Sequence, residues 1–357
     1  MTFCLYTNSL SEHQLPLARE LAERLGEANF RYYYVGACQK FQQGTDEAWS
    51  ARFDPGNAEQ VRFLGHADVV LVGGLRPVAL MEARLKAGKT TLYMSERWFK
   101  PILVYLGHFE LRIPGWVRLL VPSYRRMAKQ FASFFLDEHF RYLPIGPWAA
   151  RDMERLLLKF HSREVVGQQV ARFIPWGDFV APSSESASPR PRTEDTTNRP
   201  RRVLYIGRLL KLKHIETIIK AVRLAQKQRP MELTIVGEGP ELAYLQRQSV
   251  NAPVVFRPAV PLQEVRKIMR EHDVMVFASN AFDGWGATVL EALTEGVPVL
   301  GTYETGASAA ILPEANLFHC GDYRTLAEKL AGDVSLTPIG EWTAEAAAQT
   351  LISLCSL

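Results

Sequence analysis

Residues 280–303 read NAFDGWGATVLEALTEGVPVLGTY. Three patterns follow one another in that stretch. NAFDGWG is rich in turn formers, ATVLEALTEG carries a helical pattern, and VPVLGT is a short apolar run. Another apolar run, DVMVFAS (273–279), comes just before. Strand, loop, helix and strand in that order make one unit of a parallel sheet, whose strands are covered on both faces and read as unbroken apolar runs.

The same alternation extends outward in both directions. Upstream lie strand RVLYIG, helix HIETIIKAVRLAQKQ, strand MELTIVG, helix PELAYLQRQ, strand PVVFRP and helix LQEVRKIMREH. A separate series occupies the first half: strand Phe3 to Thr7, helix LPLARELAERLGE, strands FRYYYVG and DVVLVGG, helix VALMEARLKAG and strand TTLYMS. Between the two series, APSSESASPRPRTEDTTNRPRR (181–202) has almost nothing to bury and reads as a flexible linker. The expected fold class is α/β, with two doubly wound Rossmann-like domains facing a cleft. Their expected limits are 1–180 and 203–339, and an apolar-faced helix in 340–357 is free to pack back on the first domain. In such sheets ligands bind beyond the carboxyl ends of the strands.

From Lys100 to Trp148 the pattern loosens into aromatic and basic segments, RIPGWVRLLVPSYRRMAKQFASFF among them. A helix covering the sheet with its cations turned outward accounts for it. So does a surface that docks on anionic lipid or lies near a lipid-linked acceptor.

Length and composition agree with two domains. The chain has 357 residues, of which 47% are hydrophobic, enough for one or two sizeable cores. The formal net charge of +4 suits an anionic ligand or membrane surface and is too small to argue for nucleic acid. Cys4, Cys38, Cys320 and Cys355 are scattered with no metal-ligand spacing, as expected of a reduced, cytoplasmic protein. No signal-peptide pattern opens the sequence, and no apolar run reaches the roughly 18 residues of a membrane span.

Candidate ligand residues cluster at strand ends. In the opening stretch, Ser279 ends a strand, Gly284 and Gly286 allow close backbone approach, and the helix begins near Ala287 or Thr288. Trp285 lies between the two glycines. A helix start offers unpaired N–H groups to a phosphate. Glu291, in the first turn, complements the helix dipole for only about 0.3–1 kcal/mol. Glu295 four residues on opposes it, so a carboxylate reaching for two ribose hydroxyls explains Glu291 better. Asp283 is a ligand candidate and equally a turn residue.

In YIGRLLKLKH, Arg208 sits at a strand tip with Lys211 and Lys213 close behind. Arg suits bidentate phosphate contacts and Lys a mobile point charge, although solvated surface cations have the same pattern. In IVGEGPE, Gly237 and Gly239 follow a strand, but Leu242 stands where a dinucleotide fingerprint needs a third glycine. A tight strand-to-helix turn explains that pair equally well. ETGAS places the N–H groups of Gly306 and Ala307 at another strand end, where phosphate or sugar oxygens could meet them.

Taken in order, GRLLKLKH, VGEGPEL, DVMVFASNAFDGWGATVLEALTEGVPVL and GAS resemble the family 4 glycosyltransferases, retaining enzymes of the GT-B fold. The family's two carboxylates stand eight positions apart, as do Asp283 and Glu291. The resemblance implies that Arg208 and Lys213 hold a donor diphosphate and Glu291 the ribose hydroxyls. Asp283 then contacts the donor sugar, with backbone from Gly284 to Ala287 nearby. It implies a nucleotide-diphosphate sugar as co-substrate, no cofactor, and no metal, the basic pair standing in for the cation. The acceptor is a glycan or a lipid-linked molecule of surface-polysaccharide synthesis, with peripheral contact to an anionic membrane and no nucleic acid. This chain departs from the pattern in three places. Asp283 replaces the usual Glu, His214 the usual Gly after Lys213, and one glycine replaces the usual pair at Gly306. In the first domain Ser95 and Glu96 stand where many relatives place a His, and with His13 they are the acceptor-side candidates. A catalytically silent nucleotide-sugar-binding scaffold and a non-hydrolysing epimerase are the competing readings.

Overall fold

The computed structural model describes residues 1–36, 47–99, 115–180 and 199–354. They form two compact units, the first taking 1–99, 115–179 and 341–354, the second 180 and 199–340. Each is built on a six-stranded sheet whose paired strands all run parallel.

In the first unit β1 (Phe3–Thr7) lies between β2 (Phe30–Tyr34) and β4 (Val69–Gly73). The sheet continues to β3 (Ser50–Arg52) on one side, and to β5 (Thr90–Ser95) and β6 (Phe140–Pro144) on the other. All five residues of β1 and of β4 are buried, because helices cover both faces. On one face Phe3, Leu5 and Leu71 pack with Leu17, Ala18 and Leu21 of α1 (Leu15–Leu25). On the other, Val70, Val72 and Tyr93 pack with Met81 of α3 (Val78–Lys86) and with Phe131 and Ala132 of α5 (Pro122–Phe134). The described residues before 180 also form helices α2 (Ala58–His66), α4 (Gly115–Arg118), α6 (Pro147–Leu157) and α7 (Arg163–Val170). Arg84 of α3 is 2% exposed and donates to the carbonyls of Leu64, Gly65 and Thr90 at 3.1, 3.1 and 2.9 Å. That caps the end of α2, and burial pulls the guanidinium down to about 10.

The second unit orders β12-β11-β10-β7-β8-β9. The strands are β7 (Arg201–Ile206), β8 (Met231–Val236), β9 (Val254–Arg257), β10 (Val274–Phe277), β11 (Val299–Thr302) and β12 (Leu317–Phe318). Its helices are α8 (Ile215–Ala225), α9 (Leu242–Gln248), α10 (Leu262–Arg270), α11 (Thr288–Thr294), α12 (Gly306–Ile311) and α13 (Tyr323–Ala331). The last helix, α14 (Ala344–Ser353), rejoins the first unit, where Ala347, Ala348 and Leu351 are buried in the α1 cluster and Arg24 meets Gln349 at 3.0 Å.

Both sheets have the Rossmann strand order, which reverses direction between β1 and β4 in the first unit and between β7 and β10 in the second. The α/β class and both central sheets agree with the sequence reading. Three strands escaped it. β3 and β12 are three and two residues long at sheet edges, too short for a periodicity to register. β6 lies inside the aromatic stretch read as irregular, yet four of its five residues are buried and it pairs with β5 throughout.

In 100–148, residues 100–114 lie outside the described ones, while α5 is a sheet-covering helix with Arg125, Arg126 and Lys129 exposed. Leu120 and Val121, just before it, are 77% and 48% exposed. Of the expected linker, 181–198 lies outside the described residues, and its last part is structured. Arg199 forms a bidentate pair with Asp273 at 2.7 Å, and Arg201 begins β7 with its guanidinium 2.6 Å from the Gly332 carbonyl. Burial by itself would raise the Asp273 pKa, but its bonds to Arg199 and the Arg202 N–H prevail and hold it near about 2. Those arginines read as part of a linker because their partners lie some 70 and 130 residues away.

Candidate functional site

Rossmann sheets bind ligands where the strand order reverses, because the loops leaving the two central strands turn to opposite faces and open a crevice. In the second unit that place lies beyond Ile206 of β7 and Phe277 of β10. Arg208 and Lys213 leave the first strand, and Ser279 to Thr288 the second.

Lys213 and Asp283 meet there. The ammonium Nζ lies 2.7 and 2.6 Å from the two Asp283 oxygens, with both side chains largely buried, and 5.4 Å over the Phe277 ring. Arg208 is exposed. Its backbone is held by Tyr205, whose buried hydroxyl donates to the Arg208 carbonyl at 2.9 Å. Burial, reinforced by the nearby Asp283 charge, pushes the Tyr205 phenol well above its ordinary range, so it stays a donor.

Glu291 projects from the first turn of α11 and is 8% exposed. Contrary to the spacing, no charge on Glu295 opposes it. Glu295 turns away to α10, where Arg270 and Arg266 meet its carboxylate at 2.5 and 3.6 Å. Ser279 is fully buried, and its hydroxyl has no hydrogen-bond partner among the described residues. Ala287 and Thr288 open α11 and are half-buried.

The glycines divide into two kinds. Gly284 and Gly286 have φ of 69° and 89°, and a Cβ on Gly286 would stand 2.6 Å from the Phe277 ring. Gly237, with φ 144°, abuts the neighbouring loop, so that a Cβ would stand 2.0 Å from the Gly207 carbonyl oxygen. On Gly239 it would stand 2.3 Å from that of Leu209. GEG therefore exists here to let the β7 and β8 loops touch, through Gly207 N to Val236 O at 3.0 Å and Leu209 N to Glu238 O at 2.8 Å. Gly306 and Ala307 likewise spend their N–H groups inside the protein, on the Gly284 and Trp285 carbonyls at 2.9 and 2.8 Å. They clamp the Asp283 loop and do not offer those groups outward. Trp285 is 2% exposed and packs over Gly306.

His214 and Asn280 had no signal in the sequence beyond His214's place where a glycine is usual. His214 adopts φ 46°, ψ 43°, a left-handed conformation costing an L-residue roughly 1–2 kcal/mol. Its ring nitrogens lie 3.2 Å from Glu216 Oε1 and 3.2 Å from the Asn280 amide nitrogen.

In the first unit the acceptor-side candidates fall at its own reversal point. Ser95, Glu96 and His13 all line a cavity of about 750 Å³ that also touches Thr7 and Gly73, the ends of β1 and β4. Ser95 is buried and its hydroxyl is 3.0 Å from Tyr142 Oη. Arg97 instead pairs with buried Asp152 at 3.3 Å. The sequence reading missed Gln14, whose amide donates to Asp178 at 2.8 Å, and Arg76, stacked 4.0 Å over Trp98. Burial raises the Asp178 pKa against the pull of His13 and Gln14.

Residues 190–334 match the family model described as glycosyl transferases group 1. A D-inositol 3-phosphate glycosyltransferase of Paenarthrobacter aurescens is 34% identical over 118 residues, 30% of this chain and 29% of that protein. The match spans about a third of the length of the curated relatives. Among solved structures, the apo lipopolysaccharide outer core galactosyltransferase WaaB superposes with a TM-score of 0.63 at 14% identity, covering 100% of both chains. Anabaena HepE in complex with UDP gives 0.59 at 15% identity over 100% of this chain and 98% of that one. At those identities the likeness speaks for the fold, two Rossmann-like units of GT-B type. The stretch that carries Arg208, Lys213, Asp283 and Glu291 is thus similar to the glycosyl transferases group 1 family.

Proposed function

We propose that this chain is a glycosyltransferase that moves a sugar from a nucleotide-diphosphate sugar to a glycan or lipid-linked acceptor with retention of configuration. The observation that carries the reading is the Lys213–Asp283 pair, with exposed Arg208 leaving the same strand, at the strand-order reversal within the stretch matching that family. A ready-made cation and anion in contact suit a ligand with a diphosphate next to a hydroxyl-rich ring. The diphosphate draws Lys213 and Arg208, and the sugar hydroxyls take over Asp283. Glu291 holds the ribose diol. HepE, the structural neighbour described with UDP, supports a nucleotide diphosphate as the ligand class.

In the proposed reaction the bond from the anomeric carbon to the diphosphate oxygen breaks and one to the acceptor oxygen forms on the same face. The acceptor's proton passes to the departing diphosphate. Lys213 and Arg208 stabilise the charge developing on that leaving group, which removes the need for a metal ion; preorganised charge of this sort is often the largest catalytic contribution. Asp283 orients the sugar, and Ser95, Glu96 and His13 serve the acceptor.

A thermal-shift panel of UDP, GDP, ADP and their sugars in chelator tests the donor site. One nucleotide series should stabilise the protein, and Arg208→Ala should lose most of that shift. No shift with any member would move the weight to a silent scaffold. Conversion of the sugar nucleotide without any acceptor would instead favour an epimerase.

The proposal places the enzyme in the cytoplasm with peripheral membrane contact. No helix among the described residues is long and apolar enough to cross a membrane. Exposed Leu120 and Val121 beside Arg118, Arg125, Arg126 and Lys129 suit an anionic bilayer, at roughly 1 kcal/mol per cation near the surface. Sedimentation with phosphatidylglycerol vesicles should fall on Leu120→Ser and on added salt, and equal sedimentation with neutral vesicles would refute it.

A further inference from the structure

We infer that His214 is a positioning residue whose imidazole locks the Asn280 amide and thereby presets the loop that carries Asp283 against Lys213. The contact stands on geometry alone; its consequence for binding rests on the donor-site reading above.

The first observation is conformational. At φ 46° a glycine would sit without strain, yet this chain has His. Histidine is among the few L-residues enriched in the left-handed region, and residues in sparsely populated conformations cluster at functional sites.

The second observation is what the ring does. Asn280 is the hub of the loop: its N–H donates to the Leu212 carbonyl at 3.0 Å, and its own carbonyl accepts from Asp283 N–H at 3.1 Å. Its side-chain oxygen accepts from Phe282 N–H at 3.0 Å. With that oxygen committed, the amide NH₂ must face His214, so imidazole Nε2 there has to be an acceptor. The proton therefore sits on Nδ1 and is donated to Glu216. One chain of donors thus runs from Asn280 through His214 to Glu216 on α8. It ties the segment after β7 to the loop after β10 within three residues of Asp283.

Without the imidazole the Asn280 amide loses its tie to the segment after β7, and the loop that carries Asp283 is less firmly preset. A ligand would have to order that loop on binding, a cost that preorganisation removes.

His214→Gly suits the backbone and should keep the melting temperature at or above wild type. His214→Asn also tolerates the left-handed turn but is too short to span Glu216 and Asn280. In both full-length variants amide hydrogen exchange in residues 280–286 should rise severalfold in the unliganded protein. Affinity for the nucleoside diphosphate that stabilises wild type should weaken about tenfold, equal to about 1.4 kcal/mol. Exchange unchanged in both variants overturns the lock, and faster exchange with unchanged affinity overturns its bearing on binding. If wild type binds none of UDP, GDP and ADP, the donor reading fails, and the exchange data alone decide whether His214 holds the loop.

Discussion

Asp283→Ala should lower sugar transfer about 10²–10³-fold at saturating donor, the range seen when one preorganised transition-state contact is removed. The same substitution should leave nucleoside diphosphate binding unchanged or tighter. In the structure Lys213 is committed to Asp283 at 2.6–2.7 Å, and removing the carboxylate releases the ammonium for phosphate. Stability should fall as well. Breaking a fully buried ion pair costs about 3–5 kcal/mol, and this pair, with 17% and 15% of its side chains exposed, should cost less. Asp283→Asn, which keeps the shape and leaves the amide oxygen beside Lys213, separates folding from chemistry. Steady-state kinetics beside nucleotide calorimetry reads both effects. Full turnover with lost nucleotide binding would assign Asp283 to the diphosphate side and sink its role at the sugar.

The largest effect on stability is expected from Gly237→Ala. Its Cβ would stand 2.0 Å from the Gly207 carbonyl oxygen, which is backbone and cannot rotate away, and φ of 144° is strained for any L-residue. Relief requires parting the β7 and β8 loops at the Gly207–Val236 and Leu209–Glu238 bonds. Strain and lost bonds together should cost about 2–4 kcal/mol. Arg208 lies between the two bonded residues, so nucleotide binding should weaken in the fraction that remains folded. Gly167→Ala in α7, where a Cβ meets nothing within 4 Å, is the control and should be neutral or stabilising by up to about 1 kcal/mol. Equal urea midpoints for the two variants would show that GEG is a ligand feature and not a packing one.

The alternation of apolar runs and helical patterns was sufficient for the two α/β units, because parallel strands are buried on both faces and leave a signal that needs no partner to be seen. It was sufficient also to place Arg208, Lys213, Asp283 and Glu291 after strands or in a first helical turn, since the carboxyl-end rule acts along the chain. Spacing had no means to show which donors and acceptors were already spent. Gly306 and Ala307 looked like phosphate ligands, and their N–H groups belong to Gly284 and Trp285. Glu295 looked like a charge opposing Glu291, and Arg266 and Arg270 neutralise it from another helix.

The sequence alone determined the architecture and which candidate residues stand at the strand ends, because burial period and residue type are local properties. Only the tertiary structure decided the pairing. It set Lys213 against Asp283, His214 against Asn280, Gly237 against Gly207, and Ser95, Glu96 and His13 around one cavity. The partners farthest apart along the chain, His13 and Glu96, are separated by 83 positions, and even Gly207 and Gly237 by 30, whereas a hydrogen bond or a steric contact depends on distances of a few ångströms in space, which no separation along the chain encodes.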